Sequence, residues 1–227
     1  MPINKVFTNF DEAVKDVHDG TIIMIGGFIG KVGMPTNLIS ALRNQGAKNL
    51  TIISNRVGGM DIDALFEAKQ VEKAIASAPV PGSRTPISPF EEQYLAGEVK
   101  LEIVPQGTLV ERMRAGGAGL GGFYTPTGVG TAIAEGKERK IINGREYIFE
   151  LPLKADFAFI RAYKADKMGN LIYRRTERSF NPIMAMAARI TIAEVDEIVD
   201  VGELDPESIV TPLIYVNRIV KIPRREE

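Results

Sequence analysis

Two side-chain amides and two glycine-dense stretches are the parts of this chain whose types and spacing suit chemistry. Asn55 follows the run Thr51-Ile52-Ile53-Ser54, and Gln106 follows Ile103-Val104-Pro105. A neutral amide near a glycine loop can donate a hydrogen bond to a developing oxyanion. The plainer role for either amide is to satisfy nearby loop backbone. The first glycine stretch, Gly26 to Gly33, follows Ile22-Ile23-Met24-Ile25 and precedes Pro35, the pattern of strand, tight loop and helix. The second runs from Gly116 to Gly130 and suggests a long functional loop without a regular element. Glycine has no side chain to block a ligand or a second chain, so both loops suit a phosphate, a thioester or a partner. Close packing of helix on strand is the ordinary alternative.

Several other chemistries are excluded or disfavoured. There is no cysteine, so disulfides, thiolate nucleophiles and cysteine metal sites are absent. The only histidine is His18, which reads as a helix-end residue beside the Asp19-Gly20 turn. A Ser-His-Asp triad or a histidine metal site would rest on that one residue. Gly117-Ala118-Gly119-Leu120-Gly121-Gly122 has the letters of a dinucleotide fingerprint. A helical run, Leu109 to Arg114, precedes it and no helix follows, so the context is wrong. No P-loop occurs, and the stretch from Gly26 to Gly33 contains no G-x-G. Asp61, Asp63 and Glu67, and Glu194, Asp196, Glu197 and Asp200, lack the spacing of a calcium loop and read as solvated faces. Arg174, Arg175 and Arg178, mixed with Glu177, read as surface residues or subunit contacts, with phosphate binding as the sharper alternative.

The elements that must position these residues alternate. Helices are expected over Phe10–His18, Thr36–Arg43, Asp61–Lys69 and Phe90–Leu95. Strands are expected over Ile22–Ile25, Leu50–Ser54, Lys73–Ser77 and Val99–Val104. Further strands are expected over Asp156–Arg161, Leu171–Arg175, Ile190–Ala193 and Ile214–Val220. Lys140 to Phe149 reads as a β-hairpin around Asn143-Gly144, the favoured pair for a type I′ turn. Asn181-Pro182 reads as a helix start, with the asparagine as cap. The stretch Ala78 to Pro89 holds four prolines and reads as a surface loop. This order predicts an α/β fold, an open and largely parallel sheet with flanking helices and a hairpin. The continuous pattern over 1–227 predicts one domain.

With 44% hydrophobic and 25% charged residues, the balance is that of a soluble protein with a substantial core. A net charge of −1 gives no field to draw nucleic acid or a membrane surface. The apolar runs are far short of the roughly 20 residues of a membrane helix, and Met1-Pro2-Ile3-Asn4-Lys5 lacks a signal-peptide core. A cytoplasmic protein is expected.

The blocks also resemble a known family. Asp19-Gly20, an apolar run, Gly26-Gly27-Phe28 and then Gly33-Met34-Pro35 are similar to the N-terminal signature of family I coenzyme A transferases. Three further blocks agree: Pro105-Gln106-Gly107-Thr108-Leu109 through Glu111-Arg112 to Arg114-Ala115-Gly116-Gly117-Ala118-Gly119; Phe123 to Thr131; and Gly169-Asn170 through Phe180-Asn181-Pro182 to Val201-Gly202-Glu203-Leu204 and Thr211-Pro212. The chain resembles the α (A) subunit of bacterial short-chain acyl or 3-oxoacid CoA-transferases, whose fold is related to sugar-phosphate isomerases. Two places depart from the pattern. Ile29-Gly30-Lys31-Val32 puts four residues where the family has three, and 78–89 is longer and richer in proline.

The resemblance implies a ping-pong exchange of CoA between carboxylates through a glutamyl-CoA thioester. The glutamate lies in a Ser-Glu-Asn-Gly type motif on the β half. The only Asn-Gly here, Asn143-Gly144, follows Ile142, so the nucleophile is expected on a β subunit, in an α2β2 assembly. By the same resemblance Gln106 donates to the oxyanion and Asn55 lines the carboxylate pocket. Gly26, Gly27 and Phe28 form a floor for the partner's glutamate, and Gly116, Gly117, Ala118 and Gly119 border the acyl or thioester region. No metal and no permanently bound cofactor is implied; the CoA thioester is substrate, with a short carboxylate as the other. A sugar-phosphate isomerase of related fold, or a non-catalytic ligand-sensing subunit, are the alternative readings.

Overall fold

The computed structural model describes residues 3–28, 32–59, 61–78 and 87–223. The altered spacing after Phe28 falls mostly on 29–31, and the proline-rich stretch mostly on 79–86, both outside the described residues.

Nine strands form the main sheet: β1 (Val6–Phe7), β2 (Ile22–Ile25), β3 (Leu50–Arg56), β4 (Val71–Ala78), β5 (Lys100–Ile103), β9 (Ala155–Asp166), β10 (Leu171–Ile172), β11 (Ala188–Val199) and β12 (Arg218–Lys221). Their order is β1-β12-β11-β9-β2-β3-β4-β5, and all neighbours along it are parallel. The short β10 runs antiparallel to β9. From β2 the chain proceeds outward through β3, β4 and β5, whereas β9, β11 and β12 extend from its other side. The order therefore reverses between β2 and β9. Open α/β sheets form their ligand crevice beyond the carboxyl ends of the strands at such a reversal.

Both faces of the sheet are covered, which is why the strands read as unbroken apolar runs. Ile23, Ile25, Ile52, Ala74, Ala76, Phe157 and Phe159 face one core, under α1 (Phe10–Val14), α2 (Thr36–Gln45), α3 (Asp63–Glu67) and α4 (Pro89–Leu95). Met24, Ile53, Ile75, Ala158 and Ile160 face the other, under α5 (Gln106–Ala118) and α6 (Asn181–Met186). Each large buried apolar side chain is worth about 1.5–3 kcal/mol. A one-residue slip would exchange the two sets, so the register is tightly specified. A second, antiparallel sheet runs β6 (Phe123–Thr125), β8 (Arg145–Glu150), β7 (Arg139–Ile142). The β7–β8 turn has Asn143 at φ 49° and Gly144 at φ 75°, as a type I′ turn requires.

The differences from the sequence reading have physical causes. The expected structureless run from Gly116 to Gly130 is regular in part: α5 continues through Gly116 and Gly117 to Ala118, and β6 takes Phe123–Thr125, with turns between and after them. Helix packing selects those glycines. A Cβ on Gly116 would land on the Leu153 carbonyl, and one on Gly117 would meet Met186. The strand expected over Leu171–Arg175 ends at Ile172, and Arg175, at φ 52°, opens a 3-10 turn instead. Ile214–Val220 divides into a 3-10 turn, Leu213–Tyr215, and β12. The helices expected over Phe10–His18 and Asp61–Lys69 shorten to α1 and α3; Lys69, at φ 50°, has left the helical region. The acids Glu194, Asp196 and Glu197 lie within β11 and not after a strand, and Glu194 is fully buried.

Candidate active site

The sheet reversal brings the ends of β2, β3, β4 and β5 together. Gly26 leaves β2 with its N–H donated to the Phe159 carbonyl at 2.9 Å. A Cβ there would fall on the side chain of Asn181, so only glycine lets Asn181 reach this point. Asn181 is fully buried and joins three segments. Its Nδ2 donates to the carbonyls of Gly33 at 2.9 Å and Glu177 at 2.8 Å, and its Oδ1 accepts from the Arg161 N–H at 3.2 Å. It is not the helix cap expected from Asn181-Pro182; it is the first residue of α6, and Phe180 precedes it. Gly27, at φ 104°, packs on Met34, and Phe28 follows, 37% exposed and stacked on Phe180 with ring centroids 6.0 Å apart.

Asn55 lies inside β3 and not after it, because β3 extends to Arg56. It is only 4% exposed, so its amide must find partners within the protein. Its Nδ2 donates to the Phe28 carbonyl at 3.4 Å. Its Oδ1 accepts from the Ser77 hydroxyl at 2.5 Å and from Gln106 Nε2 at 2.8 Å. Ser77 also donates to the Asn55 carbonyl at 3.1 Å. Gln106 opens α5 directly after Pro105 and is exposed. An amide nitrogen carries two hydrogens. With one spent on Asn55, the second is the donor Gln106 can offer outward. Pro105 gives α5 no side-chain cap, and its first turn holds no acid, so the positive end of the helix dipole stays open there.

Gln106 faces a cleft of about 500 Å³ walled by Phe28, Thr108, Phe123, Thr125 and Phe180. Among the described residues Glu111 is the one carboxylate on that wall, and it pairs with Arg114 at 3.1 Å. The cleft thus combines apolar walls, an oriented amide and a helix N-terminus, which can orient a carbonyl or carboxylate and stabilise negative charge on its oxygen. Of the residues singled out in the sequence, Phe28, Asn55 and Gln106 come together here. Gly26 and Gly27 set the path of the chain into the cleft without lining it. Gly116, Gly117, Ala118 and Gly119 lie at the far end of α5 and line neither this cleft nor the hollow beside it. Sequence reasoning missed Ser77 as a member of the site. Its signal was the parallel pairing of β3 with β4, which sets the two carboxyl ends side by side.

A second polar cluster sits nearby. Arg161 lies on β9 two residues beyond Phe159, the partner of Ile25, and its register partner on β11 is Glu194. Glu194 Oε2 accepts from the N–H groups of Asn37 at 2.9 Å and Leu38 at 3.1 Å, and Oε1 accepts from Asn37 Nδ2 at 3.3 Å. Glu194 thereby caps α2, whose own N-cap residue, Pro35, has no side-chain donor or acceptor to offer. Burial pushes the Glu194 carboxyl up to about 7, against the helix-end donors and Arg161, which favour the charged form.

The family pattern described as coenzyme A transferase matches residues 7–222. The chain is 50% identical over 222 residues to a protein from Pseudomonas putida named as the A subunit of 3-oxoadipate CoA-transferase, covering 97% of this chain and 94% of that one. It is 53% identical over 220 residues to a Bacillus subtilis protein named as the A subunit of a probable succinyl-CoA:3-ketoacid coenzyme A transferase, covering 96% and 90%. Among solved structures, the fold is shared with an acyl-CoA transferase from Escherichia coli O157:H7, at TM-score 0.83 and 21% identity over 98% of this chain and 48% of that one. It is also shared with glutaconate coenzyme A-transferase from Acidaminococcus fermentans, at TM-score 0.81 and 22% identity over 96% and 76%. Matched from residue 7 to residue 222, and half-identical to relatives it spans almost end to end, the chain belongs to the coenzyme A transferase family.

Proposed function

We propose that this chain is the α (A) subunit of a hetero-oligomeric CoA-transferase that moves CoA between an acyl-CoA and a free 3-oxo or short-chain carboxylic acid. The observation that carries the reading is the Gln106–Asn55–Ser77 relay, which orients an amide at the open end of a helix into the cleft. The nucleophile is a glutamate supplied by a β subunit, in an α2β2 assembly. Its carboxylate attacks the acyl-CoA carbonyl, CoA thiolate leaves, and an acyl-glutamyl anhydride forms. The thiolate then attacks the glutamyl carbonyl and expels the acyl group as carboxylate, leaving the glutamyl-CoA thioester. The incoming acid reverses both steps. Each addition places negative charge on a carbonyl oxygen, and the second N–H of Gln106 meets it.

Among acyl groups, the relatives named for 3-oxoadipate and 3-ketoacids favour a 3-oxo acid over acetate or butyrate as the physiological partner. CoA enters as substrate and no cofactor stays bound. Among the described residues no helix is long and apolar enough to cross a membrane, and we place the enzyme in the cytoplasm.

The test is co-expression with a β-type chain of the same family, followed by an exchange assay with acyl-CoA and free acids. The complex should co-purify and form the new acyl-CoA, while either chain alone is inactive. Activity of this chain by itself, or a stable but inactive pair, would sink the reading.

A further inference from the structure

The cleft at Gln106 has a neighbour, a second hollow of about 420 Å³. Three side chains, Phe28, Val110 and Phe180, line both, so they form the wall between them. The two rings stack in this wall, with centroids 6.0 Å apart and planes within 16°. Beyond it the lining is mostly apolar, with Pro182, Ile183, Met186 and Val210 beside Arg114, Arg178 and Ser179.

The rings come from segments far apart in the chain, and the fold clamps them together. Asn181, next to Phe180, donates to the carbonyls of Gly33, in the loop that follows Phe28, and of Glu177. A Cβ on Gly33 would lie 2.6 Å from the Glu177 carbonyl oxygen, so glycine is what lets the two segments approach. Ser179 directs the chain into Phe180 at φ 39°, a conformation non-glycine residues rarely adopt, and its enclosed hydroxyl has no hydrogen-bond partner. Strain and an unmet polar group kept beside a wall between two cavities point to a function for that wall. The wall also stands close to the reacting position. Asn55 alone links them, donating to the Phe28 carbonyl at 3.4 Å and accepting from Gln106 at 2.8 Å.

We propose that the Phe28–Phe180 pair is a partition that sets the chain length of the acids this site accepts. A short acid whose carboxyl lies at Gln106 fits in the first cleft. A longer alkyl chain meets the rings and is kept out of the second hollow, which is apolar enough to hold it. This rests on the CoA-transferase reading and adds to it the residues that limit chain length. Removing either ring joins the two hollows, and each methylene that then leaves water for the second one favours the longer acid about fourfold.

The test supplies butyrate or octanoate as acceptor acid to the complex with the β subunit. Wild type should prefer butyrate. Phe28→Ala should raise kcat/KM for octanoate about 10- to 100-fold, while butyrate gains nothing. Phe180→Ala should do the same; if its buried ring proves necessary for folding, the half-exposed Phe28 decides alone. Ile183→Trp fills the second hollow, so in a Phe28→Ala complex that still assembles it should abolish the gain with octanoate. No gain with octanoate, an equal gain with butyrate, or a gain that survives Ile183→Trp would overturn the partition. So would a wild type that already prefers octanoate. Calorimetric titration of octanoate into the wild-type and Phe28→Ala complexes reads the wall independently of turnover. Equal binding to both overturns the partition and leaves the functional reading standing if butyrate is exchanged. Tighter binding to Phe28→Ala in a complex that exchanges no CoA with any acid overturns the functional reading and leaves the partition standing.

Discussion

Two polar clusters stand near the carboxyl end of β2, and they are built oppositely. The first, Asn55–Ser77–Gln106, is neutral and opens on the cleft. The second, Glu194 with Asn37, Leu38 and Arg161, is charged and closed. Both Glu194 oxygens are taken up by donors at the start of α2, so the cluster holds a helix on the sheet. In the first, each member orients the next and one N–H is left for something outside. A polar group spent on the fold stabilises it. A polar group held by the fold but left unspent can act on a substrate.

Gln106→Ala gives the largest effect expected from this contrast. Removing one oxyanion donor costs about 100- to 1000-fold in turnover. The exposed position of Gln106 predicts an unchanged melting temperature and unchanged assembly with the β subunit. A turnover within a few-fold of wild type would remove Gln106 from the mechanism. Glu194→Leu should do the reverse. Loss of the buried partner to three donors should destabilise the fold by about 3 kcal/mol in denaturant titration. That is the low end for such a change, because Asp196 still holds Arg161 at 2.8 Å. Activity per folded complex should persist; a variant that melts normally but is inactive would erase the distinction between the clusters.

The Glu194 carboxyl also gives the closed cluster a pH signature that the neutral cluster lacks. Its folded value, about 7, lies above the ordinary 4.5, so the folded state holds this proton more tightly than the unfolded chain. The favourable contribution is therefore complete below pH 4.5 and declines as pH rises to about 7. The unfolding free energy of wild type minus that of Glu194→Gln should fall by up to about 3 kcal/mol across that window and then level off. A difference flat with pH would mean that the helix-end donors and Arg161 cancel the effect of burial, and one that rises with pH below 4.5 that they outweigh it. The smallest effect is expected for Ser77→Ala, which frees the Asn55 carbonyl oxygen. Losing one neutral hydrogen bond predicts a turnover reduced about 2- to 10-fold. If the relay acts as a unit, Ser77→Ala should have almost no further effect in the Gln106→Ala background. Additive losses would show that Ser77 acts on its own.

Much of the fold was legible because burial on two faces writes long apolar runs. Ile22–Ile25 is identical in expectation and structure, and the Asn143-Gly144 hairpin stands as read. Errors gathered where one residue type serves two physical ends. Gly116 and Gly117 have the look of a loop, yet they continue α5 because Leu153 and Met186 press against it. Glu194 has the look of a solvated acid, yet a helix end needing acceptors lies across from it. In the site, Asn55 and Gln106 were visible as amides after apolar runs. Ser77 and Asn181 were not, because their roles depend on segments far away in the chain.

The sequence by itself determined the alternation of strands and helices, the absence of cysteine chemistry and the family pattern, because these depend on local period and composition. Tertiary structure alone decided that β9 sits beside β2, placing the reversal of strand order, and with it the cleft, at Phe28. It also decided that Gln106 turns one N–H to Asn55, 51 positions away in the chain, and keeps the other free. Hydrogen bonds act over a few ångströms of space, and only the folded sheet brings such distant residues that close.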